Sequence, residues 1–159
     1  MEVNDTIADF SLQTDEDKTI HLKDFAGKPV VLFFYPRADT PGCTIEACGF
    51  RDVFKKIQAA GAVVLGISRD TPKDQKKFKE KYNLPYTLLA DVDEKVCKQF
   101  GVLKEKNMYG KKVMGIERTT FLIGGDRKLL RIFPKVKPEG HAEEVLAAIQ
   151  KHETKEHGG

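Results

Sequence analysis

Two cysteines, Cys43 and Cys48, lie five residues apart in a segment that begins with Thr40 and Pro41. Threonine is a common N-cap residue, and proline suits the first position of an α-helix. Cys43 is therefore predicted to be the third residue of a helix. Unpaired backbone N–H groups and the positive end of the helix dipole would there favour a thiolate over a thiol. A thiolate in this position is suited to nucleophilic and redox chemistry.

Helical geometry keeps the two sulfurs apart. Cys43 falls at the edge of an apolar face that includes Ala47 and Phe50, whereas Cys48 lies about 140° away on a mostly polar side with Arg51. The two Cα atoms would be about 8.6 Å apart in a regular helix. A disulfide tolerates at most about 7 Å. If the two cysteines form a disulfide, the first turns of the helix must unwind, so the sequence predicts a reduced, helical state and an oxidised, locally unfolded one.

The elements that position this segment alternate between short apolar runs and longer helical patterns, which indicates an α/β fold. Residues 30–35 are wholly apolar and predict a central strand buried on both faces. Residues 63–68 predict a second strand, parallel to the first because the intervening segment can hold a crossover helix. Cys43 would then lie at the carboxyl end of a strand, where sites in α/β sheets collect.

Other patterns complete a mixed central sheet flanked by helices. They predict an N-terminal hairpin (9–14 and 18–22), a helix beginning at Thr71-Pro72, a strand at 86–89, a helix capped by Asp91 or Asp93, a hairpin (119–123 and 128–133) and a final helix at 138–150. We expect residues 104–112 to form a solvated loop, with docking of a reductant as a less favoured alternative.

Length and composition set the class of protein. The 159 residues, 40% hydrophobic and 32% charged, predict a single domain at 1–151 followed by a frayed polar tail at 152–159. The net charge of +3 favours neither a nucleic-acid nor a membrane partner. No run is long and apolar enough to span a membrane, and the acidic N-terminus is unlike a signal peptide. A cytoplasmic protein is therefore expected. The odd number of cysteines also argues against a secreted disulfide framework.

The cysteine segment resembles a known active site. Pro36-x-x-x-Thr40-x-x-Cys43 matches the motif of peroxiredoxins, and Cys43-Thr44-x-Glu46-Ala47-Cys48 is similar to the bacterioferritin-comigratory, or Q-type, branch. Ala8 departs from the family, which usually has proline there. The similarity also covers residues 8–12, 27–28, 33–36 and 117–123.

The resemblance implies a thioredoxin-like fold and the reduction of hydrogen peroxide and organic hydroperoxides without metal, flavin or other cofactor. Cys43 would attack the peroxide, and Thr40 with the backbone N–H groups of Gly42 and Cys43 would hold it. Pro36 would screen the thiolate from water. Arg118 would stabilise the thiolate and donate to the departing oxygen.

The resemblance also implies how the enzyme is recycled. Cys48 would resolve the Cys43 sulfenic acid as an intramolecular disulfide, which a thioredoxin-like protein would reduce. Resolution by Cys97 or by an external thiol is the alternative, although Cys97 is expected to be a packing residue of a helix. An internal partner thiol makes a second subunit unnecessary, so a monomer is expected.

Three other functions compete with this interpretation. A general disulfide oxidoreductase would need Cys-x-x-Cys, whereas four residues intervene here. A non-catalytic redox sensor could use the same disulfide. A Cys/His hydrolase is the weakest, because no histidine is predicted near the strand end. The histidines show no ligand spacing, so no zinc site is expected; they are His21, His141, His152 and His157.

Overall fold

The computed structural model describes residues 1–157, with the side chains of Met108 and of residues 153–157 left aside. Its strands are β1 (Ser11–Thr14), β2 (Thr19–His21), β3 (Val30–Phe34), β4 (Val63–Ser68), β5 (Thr87–Ala90), β6 (Leu103–Met108), β7 (Lys111–Ile116), β8 (Thr119–Ile123) and β9 (Leu129–Phe133). Its α-helices are α1 (Pro41–Ala59), α2 (Pro72–Tyr82), α3 (Lys95–Gln99) and α4 (His141–His157), and a 3-10 helix covers Leu22–Phe25. Within these residues, no helix has the length and apolar character needed to cross a membrane.

Seven strands form one mixed sheet in the order β2-β1-β5-β4-β3-β8-β9. Strands β3, β4 and β5 are parallel, while the pairs β1–β2, β1–β5, β3–β8 and β8–β9 are antiparallel. The predicted mixed sheet, the parallel β3–β4 pair and both predicted hairpins are therefore confirmed.

The central strand β3 contributes side chains to the apolar cores on both faces of the sheet, and helices pack against each face. Its side chains alternate, and all are buried: Val31 and Phe33 pack with α1, α2 and α4, whereas Leu32 and Phe34 pack on the opposite face with α3 and the N-terminal segment. A strand covered on both faces needs no polar alternation, which is why its sequence is a continuous apolar run.

Residues 103–116 form a second, two-stranded antiparallel sheet, β6–β7, so the predicted solvated loop is wrong. Met108 pairs with Lys111, and the two residues between them, Tyr109 and Gly110, have positive φ angles of 53° and 79°. A two-residue turn of this backbone type joins strands tightly. The high charge of the segment was misleading, because a hairpin outside the main sheet can expose most of its side chains to water.

The last helix begins later and ends later than predicted. Helix α4 runs from His141 to His157, so residues 152–157, expected to be a frayed tail, are helical. Lysine and glutamate have good helix propensity, and no proline or glycine interrupts the segment before Gly158. Residues 158–159 lie outside the described part of the chain.

Helix α3 is capped in an unexpected way. Its N-cap residue is Glu94, not Asp91 or Asp93. The buried Asp91 carboxylate nevertheless accepts hydrogen bonds from the backbone N–H groups of Val96 (3.1 Å) and Cys97 (2.7 Å). It thus satisfies the first turn of α3 from outside the helix.

Candidate active site

Cys43 lies where the sequence places it, at the third residue of α1 just beyond the end of β3. The side chain is only 1% exposed and belongs to the apolar core between the sheet and helices α1, α2 and α4. The connecting segment begins with the fully buried Tyr35 and the half-buried Pro36. The apolar core and the short loop between β3 and α1 therefore hold Cys43 at the N-terminus of α1.

Thr40 has the extended backbone of an N-cap, but its side chain makes no capping hydrogen bond, so only the predicted helix start is confirmed. The hydroxyl donates instead to the carbonyl oxygen of Arg37 at 2.8 Å. The Thr40 side chain thus takes none of the N–H groups in the first turn. Its oxygen also keeps its capacity to accept a hydrogen bond.

Arg118 reaches Cys43 across the sheet. It directly precedes β8, and β8 pairs antiparallel with β3 so that Thr119 lies opposite Phe34. This register brings Arg118 beside the β3–α1 loop, and its Nη2 donates to the Cys43 Sγ at 3.4 Å. The resemblance to the peroxiredoxin motif predicts this role for Arg118, although Arg118 lies 75 residues after Cys43 in the sequence.

Gly42 leaves room for that guanidinium. A Cβ atom at position 42 would lie 3.0 Å from the Nη2 of Arg118 and 3.5 Å from the Cγ of Pro138. The first contact is tighter than ordinary van der Waals packing allows. Glycine here therefore lets Arg118 lie directly over the first turn of α1.

Glu46 is the functional neighbour that sequence reasoning missed. Its Oε1 accepts a hydrogen bond from the Nη1 of Arg118 at 2.9 Å, and its side chain is fully buried. Its Oε2 has no hydrogen-bond partner among the described residues. Burial raises the pKa of Glu46 to about 7, although Arg118 opposes the shift. A carboxylate on the apolar face of a helix was the available signal, because such a group needs a buried partner.

His141 lies next to this pair, which corrects the expectation that no histidine is near the site. Its Nε2 is 2.8 Å from the Oγ1 of Thr120 and 3.9 Å from the Oε2 of Glu46. Burial, together with the charge of Arg118, lowers its pKa to about 4. His141 is therefore neutral at pH 7, and Glu46 and Arg118 form a polar connection between it and the cysteine.

Two carboxylates, those of Asp70 and Asp39, fix the loop between β3 and α1. Asp70, after β4, accepts a hydrogen bond from the backbone N–H of Ala38 at 2.7 Å. Asp39, which has a positive φ of 61°, binds the Nζ of Lys81 and the hydroxyl of Tyr82, each at 2.8 Å. The loop is thus fixed by the end of β4 and by the end of α2.

A buried polar group lies behind the same loop. The Tyr35 hydroxyl donates to the side-chain oxygen of Gln75, whose nitrogen donates to Ser68 (2.9 Å) and to the Leu89 carbonyl (2.8 Å). Burial raises the pKa of Tyr35 well above its ordinary value. The phenol therefore stays neutral and ties the start of the loop to α2 and the sheet.

Cys48 lies on the same continuous helix as Cys43, and both thiols are free. Cys48 is half-buried. Burial raises its pKa, and the neighbouring Arg51 offsets part of the rise. The structure is thus the reduced, helical state, in which Cys48 is kept as a thiol.

Cys97 is buried in the core on the opposite face of the sheet from Cys43. Burial and the Asp91 carboxylate together raise the pKa of its thiol well above the ordinary value. It packs within α3, as the sequence predicts, and the sheet separates it from the active site.

Comparison with known proteins identifies the family. Residues 3–132 match the model of the AhpC/TSA family. The chain is 53% identical over 149 residues to a Coxiella burnetii protein named as a Bcp peroxiredoxin, covering 94% of this chain and 99% of that protein. The chain belongs to the AhpC/TSA family. Within it, this peroxiredoxin is a member of the Bcp, or Q-type, branch.

Solved structures of the same branch confirm the thioredoxin-like peroxiredoxin fold. A cysteine-to-serine mutant of Xylella fastidiosa PrxQ superposes with a TM-score of 0.91 at 37% identity, covering 96% of this peroxiredoxin and 97% of that chain. The Xanthomonas campestris bacterioferritin comigratory protein, described by its alkyl peroxide reduction activity, gives a TM-score of 0.87 at 41% identity. Its match covers 91% of this peroxiredoxin and 92% of that chain.

Membership sets the reaction class. This peroxiredoxin is a thiol peroxidase, which takes a peroxide as substrate and a thiol compound as reductant.

Proposed function

We propose that Cys43 is the residue that peroxide oxidises. Its thiolate attacks the hydroxyl-bearing oxygen of the peroxide, so that an S–O bond forms as the O–O bond breaks. The sulfur becomes a sulfenic acid, and the peroxide is reduced to water or an alcohol once the departing oxygen has taken a proton. The observation that carries this assignment is the 3.4 Å contact between the Arg118 Nη2 and the Cys43 Sγ at a helix N-terminus.

The groups around Cys43 bind the peroxide and stabilise the charge that develops during the reaction. Arg118 stabilises the thiolate and donates to the departing oxygen, while the backbone N–H groups of Gly42 and Cys43 bind developing charge. Thr40 accepts a hydrogen bond from the peroxide hydroxyl, because its own proton is directed at Arg37. Pro36 limits the access of water to the sulfur.

Cys48 then resolves the sulfenic acid. Its sulfur bonds to that of Cys43, and the sulfenic oxygen leaves as water with the Cys48 proton. A dithiol protein resembling thioredoxin restores both thiols by disulfide exchange and is itself oxidised. Cys48 is favoured over Cys97 because it shares α1 with Cys43, whereas Cys97 lies across the sheet.

Organic hydroperoxides are proposed as substrates beside hydrogen peroxide. The relative from Xanthomonas campestris is described as reducing alkyl peroxides. A monomeric state and a cytoplasmic location stay predictions of the sequence.

Mass spectrometry of tryptic peptides after one equivalent of peroxide tests the proposal. Cys43 and Cys48 lie in one peptide that ends at Arg51, and Cys97 lies in another. We expect a loss of about 2 Da, one disulfide, within the first peptide. A cross-link to the Cys97 peptide, or oxidation that spares Cys43, would contradict the assignment.

The variant Cys48→Ser isolates the second step. We expect the first oxidation of Cys43 to proceed at the wild-type rate and recycling by the dithiol protein to stall. Cys97→Ser is the matched control and should recycle normally. Unchanged steady-state turnover of Cys48→Ser would assign resolution to another thiol.

A further inference from the structure

Residues 81–86, at the end of α2 and just after it, contact the active-site segment on both sides of the two cysteines. Lys81 and the hydroxyl of Tyr82 bind Asp39, four residues before Cys43. The carbonyl oxygen of Tyr82 accepts a hydrogen bond from the Nη1 of Arg51 at 2.9 Å, three residues after Cys48. These contacts lie outside the stretch that must unwind, so they can persist when the Cys43–Cys48 disulfide forms.

One contact of the same segment lies inside that stretch. The buried hydroxyl of Tyr86 donates to the carbonyl oxygen of Ala47, the residue immediately before Cys48. The Tyr86 ring packs edge-on against Phe33 at 5.8 Å and tilted against Phe54 at 6.1 Å between centroids. Tyr86 is 3% exposed and Ala47 is fully buried.

Breaking this contact leaves a buried phenol without its acceptor. Burial raises the pKa of Tyr86 well above its ordinary value, so the phenol remains a donor at every physiological pH. An unsatisfied donor in the core is costly, and the hydrogen bond therefore opposes any movement of the Ala47 carbonyl.

The helix itself resists unwinding only weakly at this point. Gly42 and Gly49 bracket the two cysteines, and glycine is among the poorest helix formers. Gly49 faces α4, where a Cβ at this position would make an ordinary contact of 3.4 Å with the Cβ of Ala142. The stretch is thus held mainly by tertiary contacts, of which Tyr86–Ala47 is the buried polar one next to Cys48.

We propose that Tyr86 is a positioning residue, which through its hydroxyl sets how readily the first turns of α1 open. It thereby sets how the Cys43 sulfenic acid divides between disulfide formation and further oxidation. In the open state Cys48 displaces the sulfenic oxygen as water and forms the disulfide. In the closed state a second peroxide transfers its oxygen to the sulfur, giving a sulfinic acid and releasing water or an alcohol. The inference rests on the resolving role proposed for Cys48.

Tyr86→Phe tests it, because the variant keeps the ring and loses only the hydroxyl. Loss of one buried hydrogen bond should increase the open population about fivefold. Disulfide formation should accelerate by the same factor, and the peroxide concentration that gives half sulfinic acid should rise about fivefold. The rate of the first oxidation of Cys43 should not change.

Tyr109→Phe is the matched control, since Tyr109 is 99% exposed in the β6–β7 turn and should behave as wild type. A change in disulfide rate and sulfinic fraction that is equal in both variants, or absent from Tyr86→Phe, would overturn the inference. A purely structural role of Tyr86 would lower the melting temperature without moving this ratio.

Hydrogen exchange of the reduced protein, measured without peroxide, separates this inference from the proposed function. Amides 44–48 of Tyr86→Phe should exchange about fivefold faster than in wild type, with α2 unchanged. Equal exchange in both proteins would overturn the role of Tyr86. If peroxide gave no Cys43–Cys48 disulfide in wild type, the proposed function would fail while the exchange result still decided the role of Tyr86.

Discussion

Cys43 and Cys97 occupy the same position in two different helices. Each is the third helical residue, of α1 and of α3, and each is at most 1% exposed. Their electrostatic surroundings are opposite. The Arg118 guanidinium donates to the sulfur of Cys43. The Asp91 carboxylate accepts the backbone N–H of Cys97, and burial together with this carboxylate raises the pKa of the Cys97 thiol.

Under the proposed function, in which Cys43 reacts and Cys97 does not, burial and a helix N-terminus are not sufficient to make a cysteine reactive. Asp91 takes two N–H groups of the first turn of α3, so the positive end of that helix is already neutralised. At α1 the Thr40 side chain takes none, and the positive end stays available beside a cation. We propose that the charged partner decides which of the two thiols is suited to attack a peroxide.

Replacing each cysteine in turn should give the largest difference. Cys43→Ser should abolish peroxide consumption, because a serine hydroxyl cannot form the sulfenic acid. Cys97→Ser should keep the wild-type rate. Peroxide consumption with a dithiol reductant measures both, and substantial turnover by Cys43→Ser would break the comparison.

Replacing Arg118 tests the charged partner of Cys43 and leaves the cysteine itself unchanged. Arg118→Met should lower the rate of Cys43 oxidation about 10²–10³-fold, the usual cost of losing one donor to developing charge. Arg69→Met is the matched control, since Arg69 pairs with Glu94 at 3.3 Å on the Cys97 side. Stopped-flow oxidation by peroxide should show nearly wild-type rates for Arg69→Met; a similar loss in both variants would assign the effect to general destabilisation.

The Asp91 carboxylate should matter for stability and not for catalysis. Asp91→Ala removes the acceptor of two backbone N–H groups and should lower the free energy of unfolding by about 2 kcal/mol. Asp93→Ala, which loses one exposed bond from the backbone N–H of Lys95, should cost less. Urea denaturation gives both values, and a large loss of peroxidase rate in folded Asp91→Ala would contradict the separation of the two regions.

The buried pair behind Arg118, Glu46 and His141, should make the stability of the protein depend on pH. The pKa of Glu46 is about 7 in the folded protein, compared with an ordinary value of 4.5. The protonated side chain therefore favours folding, and its contribution to the free energy of unfolding is lost as the pH rises from 4.5 to 7. His141 has a pKa of about 4 against 6.5, so its contribution is gained as the pH rises from 4 to 6.5. In the wild type these opposite slopes offset each other.

Single variants should therefore expose one slope each. Stability of Glu46→Gln should increase with pH between 4 and 6.5, and that of His141→Gln should decrease between 4.5 and 7. Each slope should be at most about 1.4 kcal/mol per pH unit, the value for one proton. Urea denaturation at several pH values measures them, and slopes of the same sign in the two variants would refute the assignment.

Much of this contrast could be predicted from the sequence. Thr40-Pro41 fixed the start of α1 and hence the place of Cys43, because cap and proline preferences are local. The apolar run of β3 predicted the central strand for the same reason. Arg118 followed only from the family motif, since its contact with Cys43 depends on the register of β8 against β3.

The remaining features depend on contacts distant in sequence. Glu46 and His141 meet because α1 packs against α4, and nothing local to either residue specifies that pairing. The prediction that Asp91 or Asp93 caps α3 is wrong, because the N-cap is Glu94. The burial of Asp91 and its effect on Cys97 depend on the packed core. The β6–β7 hairpin was missed because its charged sequence resembles a loop, while the turn at Tyr109-Gly110 was the signal that could have revealed it.

Competitive alkylation tests the central contrast most directly. Reduced protein would be treated with limiting iodoacetamide at about pH 7, where an ordinary cysteine is mostly protonated and reacts slowly because the thiolate is the nucleophile. The modified Cys43 and Cys97 peptides would be quantified against time. The charge environments predict rapid modification of Cys43 and almost none of Cys97, with the preference for Cys43 lost in Arg118→Met. Equal rates for the two cysteines, or a preference that survives the loss of Arg118, would contradict the role given to the guanidinium.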